Sequence, residues 1–563
     1  MIIEKDFWYK NTVWYALDVE TFQDSNNDGI GDFRGLITRV DYLATLGINC
    51  IWLLPFYPSP NRDNGYDIMD YYNVDSRLGN LGDFAAFVQA AKERGIRVVV
   101  DLVINHTSSQ HPWFLEAREN KNSPYYQYYT WSKEKPENPE YEPAFSGEDN
   151  SIWQYDEVAG EYFLHRFYKH QPDLNLANPA VRREVHQIMG FWLSLGVAGF
   201  RVDAAHILVQ NDNPQHQEEF YDLIEDMREF ISNHSRDGVL LAEASGPPKA
   251  VGKFFKGKER VHMMFNFLLN QHMFLALATE EAKPLQKGLA ILPEKDFTSQ
   301  WLNFLRHHDE LNLEDLKEEE QKHVFEAFAP SEDMLIFGRG IRRRLAPMLN
   351  GDQKRLELAY SLLFSMPGTP VIQYGSEIAM GDDLSLQGRN SVRTAMQWSP
   401  ERNGGFSEAA PSKLPRPSIA QGDYAYTRVN VIRQQHDKNS MLNWMEHTIR
   451  LRRQYLEIGN GELEILKTNH KAVFAHTCRL HCFVLAVHNM SREEVSVTLP
   501  ILEEEHESVL ELMSDNGNYT LPKKGELKLN AYGYRWFYIR PSENAGTKAE
   551  KSSSSSKKQG KKK

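Results

Sequence analysis

The sequence predicts an α/β fold: a (β/α)8 TIM barrel with a subdomain inserted after its third strand and an antiparallel β-domain near its C-terminal end. Three observations carry this reading. Short β-rich apolar runs alternate with amphipathic helical stretches, the pattern of βα units on a parallel sheet. The runs number eight, as a closed barrel requires. The last part of the chain then changes period, from helical spacing to strict alternation.

The eight runs are residues 13–19, 50–54, 96–103, 198–203, 239–243, 262–267, 301–305 and 371–374. Between the first two, Leu36, Val40, Leu43 and Leu46 recur at helical spacing, and Phe84, Phe87, Val88 and Ala91 do so in the next interval. Two intervals are too long for simple crossovers. Residues 111–178, rich in Tyr, Pro, Ser and Asn, read as the inserted subdomain, and residues 381–438 as a long excursion after the eighth strand. A helix over 441–455 closes the barrel. The barrel is therefore expected to span 1–110 and 179–458, with the β-domain at 461–540, where 483–487 and 495–499 alternate. Residues 541–563, ending in a Ser/Lys run, read as a disordered tail.

Composition narrows the class. At 563 residues and 41% hydrophobic, the chain can bury large cores. No apolar run approaches the roughly 20 residues of a membrane helix. The first ten residues, MIIEKDFWYK, lack the apolar segment of a secretory signal. Three cysteines, Cys50, Cys478 and Cys482, fit a reducing compartment, so a cytoplasmic location is expected. The net charge is -13; the tail holds seven lysines and two glutamates, a net +5, which leaves -18 on the body. Such a body repels nucleic-acid phosphates. His476, Cys478, His481 and Cys482 crowd one hairpin, whereas structural zinc draws on two separated ligand pairs, so they are read as strand residues.

Polar residues gather where the runs end. The third ends in Asp101, Asn105 and His106, the fourth in Arg201 and Asp203, and the fifth in Glu243; His307, His308 and Asp309 follow the seventh. In a barrel these ends meet on one face, where active sites lie. Several carboxylates without a redox or phosphate-binding motif suit glycoside hydrolysis, whose transition state is an oxocarbenium-like cation. Arg201, two residues before Asp203, lies on the same face of the strand and would keep that carboxylate ionised.

The stretches DLVINHTS, GFRVDAAH, LLAEAS and FLRHHDE resemble the four signatures of the α-amylase superfamily of glycoside hydrolases, in order and over about residues 7 to 540. The resemblance implies that Asp203 is the nucleophile, Glu243 the acid/base and Asp309 a carboxylate that binds the distorted sugar. It implies that His106, Arg201 and His308 contact the sugar. Asp63 and Tyr66, in NRDNGYD, would close the pocket at the non-reducing end, and Arg393, in VRTAMQW, would partner Asp63. QPDLN, beginning at Gln171, is similar to the oligo-1,6-glucosidase and trehalose synthase branch; Phe145, Phe167 and Gln171 would line the pocket. Ala204 after the nucleophile goes with α-1,4 bonds in similar enzymes.

Two stretches depart from that branch. AAHILVQNDNPQHQEE stands where trehalose synthases carry a Tyr- and Glu-rich segment, and His307 stands at the usual Asn. The resemblance thus implies a retaining enzyme for short α-1,4-glucosides such as maltose, a small-molecule substrate, with either isomerisation to trehalose or hydrolysis and glucosyl transfer as outcome. A sucrose-acting enzyme and an inactive sugar-binding homologue are the alternatives.

DSNNDGIGD, from Asp24 to Asp32, alternates oxygen side chains like half an EF-hand loop, but Gly35 holds the twelfth position. Read alone, it is a hard-cation site or an Asx-rich turn. The resemblance implies structural Ca2+ on Asp24, Asn26, Asp28, the Ile30 carbonyl and Asp32.

Overall fold

The computed structural model describes residues 7–136, 143–145, 151–208, 217–256, 260–515, 517, 519 and 525–542. Eight parallel strands close into a barrel: β1 (Trp14–Leu17), β2 (Cys50–Leu53), β3 (Arg97–Leu102), β4 (Gly199–Val202), β5 (Val239–Ala242), β6 (Met263–Phe265), β7 (Gln300–Asn303) and β8 (Thr369–Gln373). Each pairs with its neighbours in chain order, and β8 returns to β1 with Val371 opposite Trp14. The strands are a residue or two shorter than most of the apolar runs. Val19, for instance, starts a helix, Val19–Phe22, which Asp18 caps by accepting the Glu20 N–H at 2.9 Å.

Alternation sorts the strand side chains. Trp14, Cys50, Trp52, Val99, Leu241, Met263 and Leu302 point inward and fill the barrel, and Trp8 closes its floor by stacking on Trp14 at 6.3 Å. Tyr15, Ile51, Val98, Val100, Phe200, Leu240 and Ile372 point outward against the helices. A Cβ on Gly199 would lie 2.1 Å from the Val239 carbonyl oxygen, so glycine lets β4 and β5 approach there. Those two strands carry the central residues of the site.

After β3 come the helix Pro112–Glu119 and a three-stranded antiparallel sheet of Trp131–Ser132, Glu161–Leu164 and Trp153–Asp156. A second excursion, unpredicted from sequence, follows β7: a small sheet of Leu311–Asn312, Gly340–Ile341 and Leu335–Ile336, with the helix Glu318–Phe328. The expected closing helix runs Met441–Gln454. The C-terminal region is antiparallel, with five strands in the order Glu462–Leu466, Val473–Arg479, Phe483–Asn489, Tyr534–Pro541 and His506–Ser514, beside the pair Val495–Thr498 and Glu526–Leu529. It packs on the barrel helix Gln353–Ser365, where Ser361 Oγ takes the Trp536 Nε1–H and lies 2.9 Å from His488 Nε2. His476 Nε2 lies 2.9 Å from the Ser365 carbonyl in the same contact. Cys50, Cys478 and Cys482 are buried and unpaired. No helix among the described residues is long and apolar enough to cross a membrane. The expected tail, from residue 543 onward, and segment 209–216 lie outside the described residues.

Candidate active site

The barrel mouth is organised around Arg201, which is 1% exposed. Its Nη1 donates to Asp101 Oδ1 at 2.6 Å and to Asp203 Oδ1 at 2.5 Å, and its Nη2 pairs with Glu243 Oε2 at 2.8 Å. One cation thus serves three carboxylates, and Trp52 Nε1–H supports the deepest of them, Asp101 Oδ2, at 3.1 Å. The chain leaves β4 through Ala204, a non-glycine residue at φ +46. That turn aims the Ala204 N–H at Glu243 Oε2, 2.9 Å away, and the Ala205 N–H at the Glu243 carbonyl, 2.8 Å away. The two strand ends are therefore tied to each other as well as to Arg201.

The three carboxylates are not equivalent to Asp309. Burial pushes Asp101 up to about 7, opposed by Arg201 and reinforced by Asp203. Burial likewise raises Asp203 and Glu243 from their ordinary values, with Arg201 opposing in both. Burial acts on Asp309 too, but Arg389, His308 and Arg393 outweigh it and hold the group well below its usual value. The contacts are Arg393 Nη2 at 2.8 Å, Arg389 Nη1 at 3.1 Å and His308 Nε2 at 3.1 Å. The mouth therefore combines carboxylates that are raised by burial but share one guanidinium, and a further carboxylate, Asp309, that its own arginines hold ionised.

The flanking residues gather around this cluster. Tyr66 Oη lies 2.8 Å from His308 Nε2, with the two rings stacked at 5.9 Å. His106 lies beside Phe167 at 5.0 Å, and Phe167 beside Phe145 at 5.6 Å. Burial lowers His106 and His308 to about 4, so both are neutral near pH 7. Asp63, raised by burial to about 7, accepts the Gln171 Nε2–H at 2.8 Å. A cavity of about 770 Å³ opens above Asp203, Glu243 and Asp309, and extends past Ser245 toward Phe254.

One expected pairing is different. Arg393 does not hydrogen-bond Asp63: its Nε donates to the His308 carbonyl at 2.8 Å, and its Nη2 binds Asp309. Of the two, Arg389 lines the cavity, paired with Glu310 at 2.7 Å and held 4.9 Å over the Phe145 ring and 5.4 Å over Phe337. Arg393 is 2% exposed and does not line the cavity, whereas Arg389, in the 3₁₀ turn just before it, does. Arg393 and Arg389 both act on Asp63 through their charge.

In the loop Asp24–Asp32, Asp24 Oδ1 accepts the Asn26 and Asn27 N–H groups at 2.9 and 2.8 Å, Asn26 Oδ1 the Asp28 N–H, and Asp28 Oδ1 the Ile30 N–H. Asp32 takes Ser25 and Gly35. The donors are all hard oxygens, held in one loop by its own backbone, and this chemistry fits Ca2+. Among the described residues, the group of His, Cys, Asp and Glu whose ligand atoms all lie within 4.8 Å of one another is instead His307, His308 and Asp309.

Comparison with known families places this architecture. Residues 19–461 match the model for the α-amylase catalytic domain, and residues 483–538 match the sucrose hydrolase-like C-terminal domain. The chain is 39% identical to the trehalose synthase/amylase of Mycolicibacterium smegmatis over 553 residues, covering 95% of this chain and 93% of that one. It is 33% identical to the oligo-1,6-glucosidase of Parageobacillus thermoglucosidasius, covering 84% and 88%. Among solved structures, the isomaltulose synthase of Klebsiella sp. LX3 superposes with a TM-score of 0.75 at 26% identity, covering 95% of this chain and 99% of that one.

Proposed function

The chain belongs to the α-amylase family of glycoside hydrolases, and from that membership we propose that it is a retaining α-glucosyl-transferring enzyme that isomerises maltose to trehalose. The observation that carries the reading is the shared guanidinium: Arg201 holds Asp203 and Glu243 side by side beneath a cavity lined by Asp63, which Gln171 holds in place.

Asp203 Oδ attacks the anomeric carbon while the glycosidic C–O bond breaks. The Glu243 proton passes to the leaving oxygen, so Glu243 ends as a carboxylate. Asp309, kept ionised by Arg389, Arg393 and His308, faces the developing oxocarbenium charge. His106 and His308 stay neutral and serve as hydrogen-bond partners for sugar hydroxyls. In the second half, a hydroxyl of the retained glucose gives its proton to Glu243 and attacks the same carbon, releasing Asp203. Two inversions leave the α-configuration intact. Water in place of the sugar hydroxyl gives hydrolysis.

Proton NMR of the enzyme with maltose tests this. Trehalose should accumulate with modest free glucose. α-Glucose alone would replace isomerisation by hydrolysis, and turnover of sucrose faster than maltose would favour the second reading. The similarity to isomaltulose synthase supports that second reading.

The same proposal extends to the loop Asp24–Asp32. Asp24, Asn26, Asp28, Asp32 and the Ile30 carbonyl would hold structural Ca2+, supplying rigidity where the loop meets Ser407. Chelation should lower the melting temperature by several degrees, and an unchanged melting temperature would refute the site. The unpaired cysteines support a cytoplasmic location.

A further inference from the structure

We propose that His307 donates a hydrogen bond from Nε2 into the cavity and there holds a hydroxyl of the sugar released when the Asp203 ester forms; the proposal rests on the transfer reading above. The tautomer follows from the backbone. The Asp309 N–H donates to His307 Nδ1 at 3.0 Å, so the proton of the neutral ring sits on Nε2. Burial holds the ring neutral, far below its usual pKa. Phe304, Phe267 and Phe265 surround it, with ring centroids 4.8, 6.1 and 6.3 Å away, and leave Nε2 without an acceptor among the described residues. His307 nevertheless lines the cavity.

Its place in the ring of strands gives the donor a role. His307 follows β7, and Phe267 follows β6. In the order of the closed barrel, these strands stand across from β3 and β2, whose loops carry His106 and Asp63. Asp63, held by Gln171, lines the side that takes the transferred glucosyl unit in the proposed mechanism. His307 therefore lies beyond the bond that breaks, on the side of the leaving sugar. A donor there anchors that sugar while it turns, and so sets how often a sugar hydroxyl rather than water reaches the ester.

Two variants separate this role from support of Asp309. In His307→Asn, the amide oxygen stands where Nδ1 was and accepts the Asp309 N–H as an Asx turn, but nothing reaches the cavity. In His307→Gln, an amide N–H reaches the place of Nε2, but the turn is lost. From maltose, His307→Asn should lower the trehalose-to-glucose ratio about tenfold, the weight of roughly one hydrogen bond, while His307→Gln stays within about threefold of wild type. A wild-type ratio in His307→Asn would overturn the proposal, as would equal losses in both variants. If wild-type enzyme yields glucose alone, the isomerase reading fails by itself. The inference is then read on transfer from α-glucosyl fluoride to added glucose. The acceptor concentration for half-maximal transfer should rise about tenfold in His307→Asn, and no rise would refute it.

Discussion

At the floor of the barrel, Trp8 stacks on Trp14, and Val239, Met263, Leu302 and Val371 pack around them. A few residues further along the same strands, three carboxylates crowd one guanidinium, and Ala204 adopts a left-handed turn. The two ends obey different physics. Floor contacts are short-range and apolar, so each contributes a share of stability. Mouth contacts are charges taken out of water, where mutual attraction barely offsets lost hydration. The floor holds the fold so that the mouth can keep an arrangement the fold alone would not favour.

The sharpest way to break this contrast is to remove charge at the mouth. Asp203→Asn and Glu243→Gln should each lower turnover of maltose by about 10⁴-fold or more, with a melting temperature equal to or above wild type. A large fall in melting temperature would make these carboxylates structural. The converse test is at the floor. Trp14→Ala should cost about 3–5 kcal/mol of stability and change KM for maltose less than about threefold. A matching loss of activity would show that floor and mouth are one mechanical unit.

The third test sharpens the contrast through pH. Asp101 is fully buried and raised from 3.8 to about 7, so the folded chain holds a proton there that the unfolded chain has lost. Its contribution is complete below about pH 4 and disappears as pH rises through 7. Asp101→Asn cannot ionise. It should gain on wild type between pH 4 and 7, by on the order of 4 kcal/mol, and hold a constant margin above. A margin independent of pH would place the proton elsewhere on the Arg201 cluster.

The same contrast explains what was legible in the sequence. Apolar runs of strand length mark all eight barrel strands, because a buried parallel strand must be apolar on both faces. A carboxylate ending such a run is conspicuous, which is how Asp203 and Glu243 stand out. The excursion after β7 was not legible, because its two-residue strands carry no period. Phe337, at φ +54, and Arg389 meet over Phe145 only through loops that periodicity does not describe. His307 is visible as a residue, but the direction of its Nε2–H depends on one backbone N–H that only the folded chain reveals.

In the proposed mechanism, Arg201 would also act as a timer. While Asp203 is free, the guanidinium is shared among three carboxyl groups, and Glu243 receives only part of its charge, which favours its protonated form. Once Asp203 carries a sugar ester it has no charge to claim. The same cation, without moving, then turns to the Glu243 carboxylate just created and stabilises it as a base. On that mechanism, the switch from giving a proton to taking one would follow from a redistribution of charge at a single fixed group, set off by the covalent step itself.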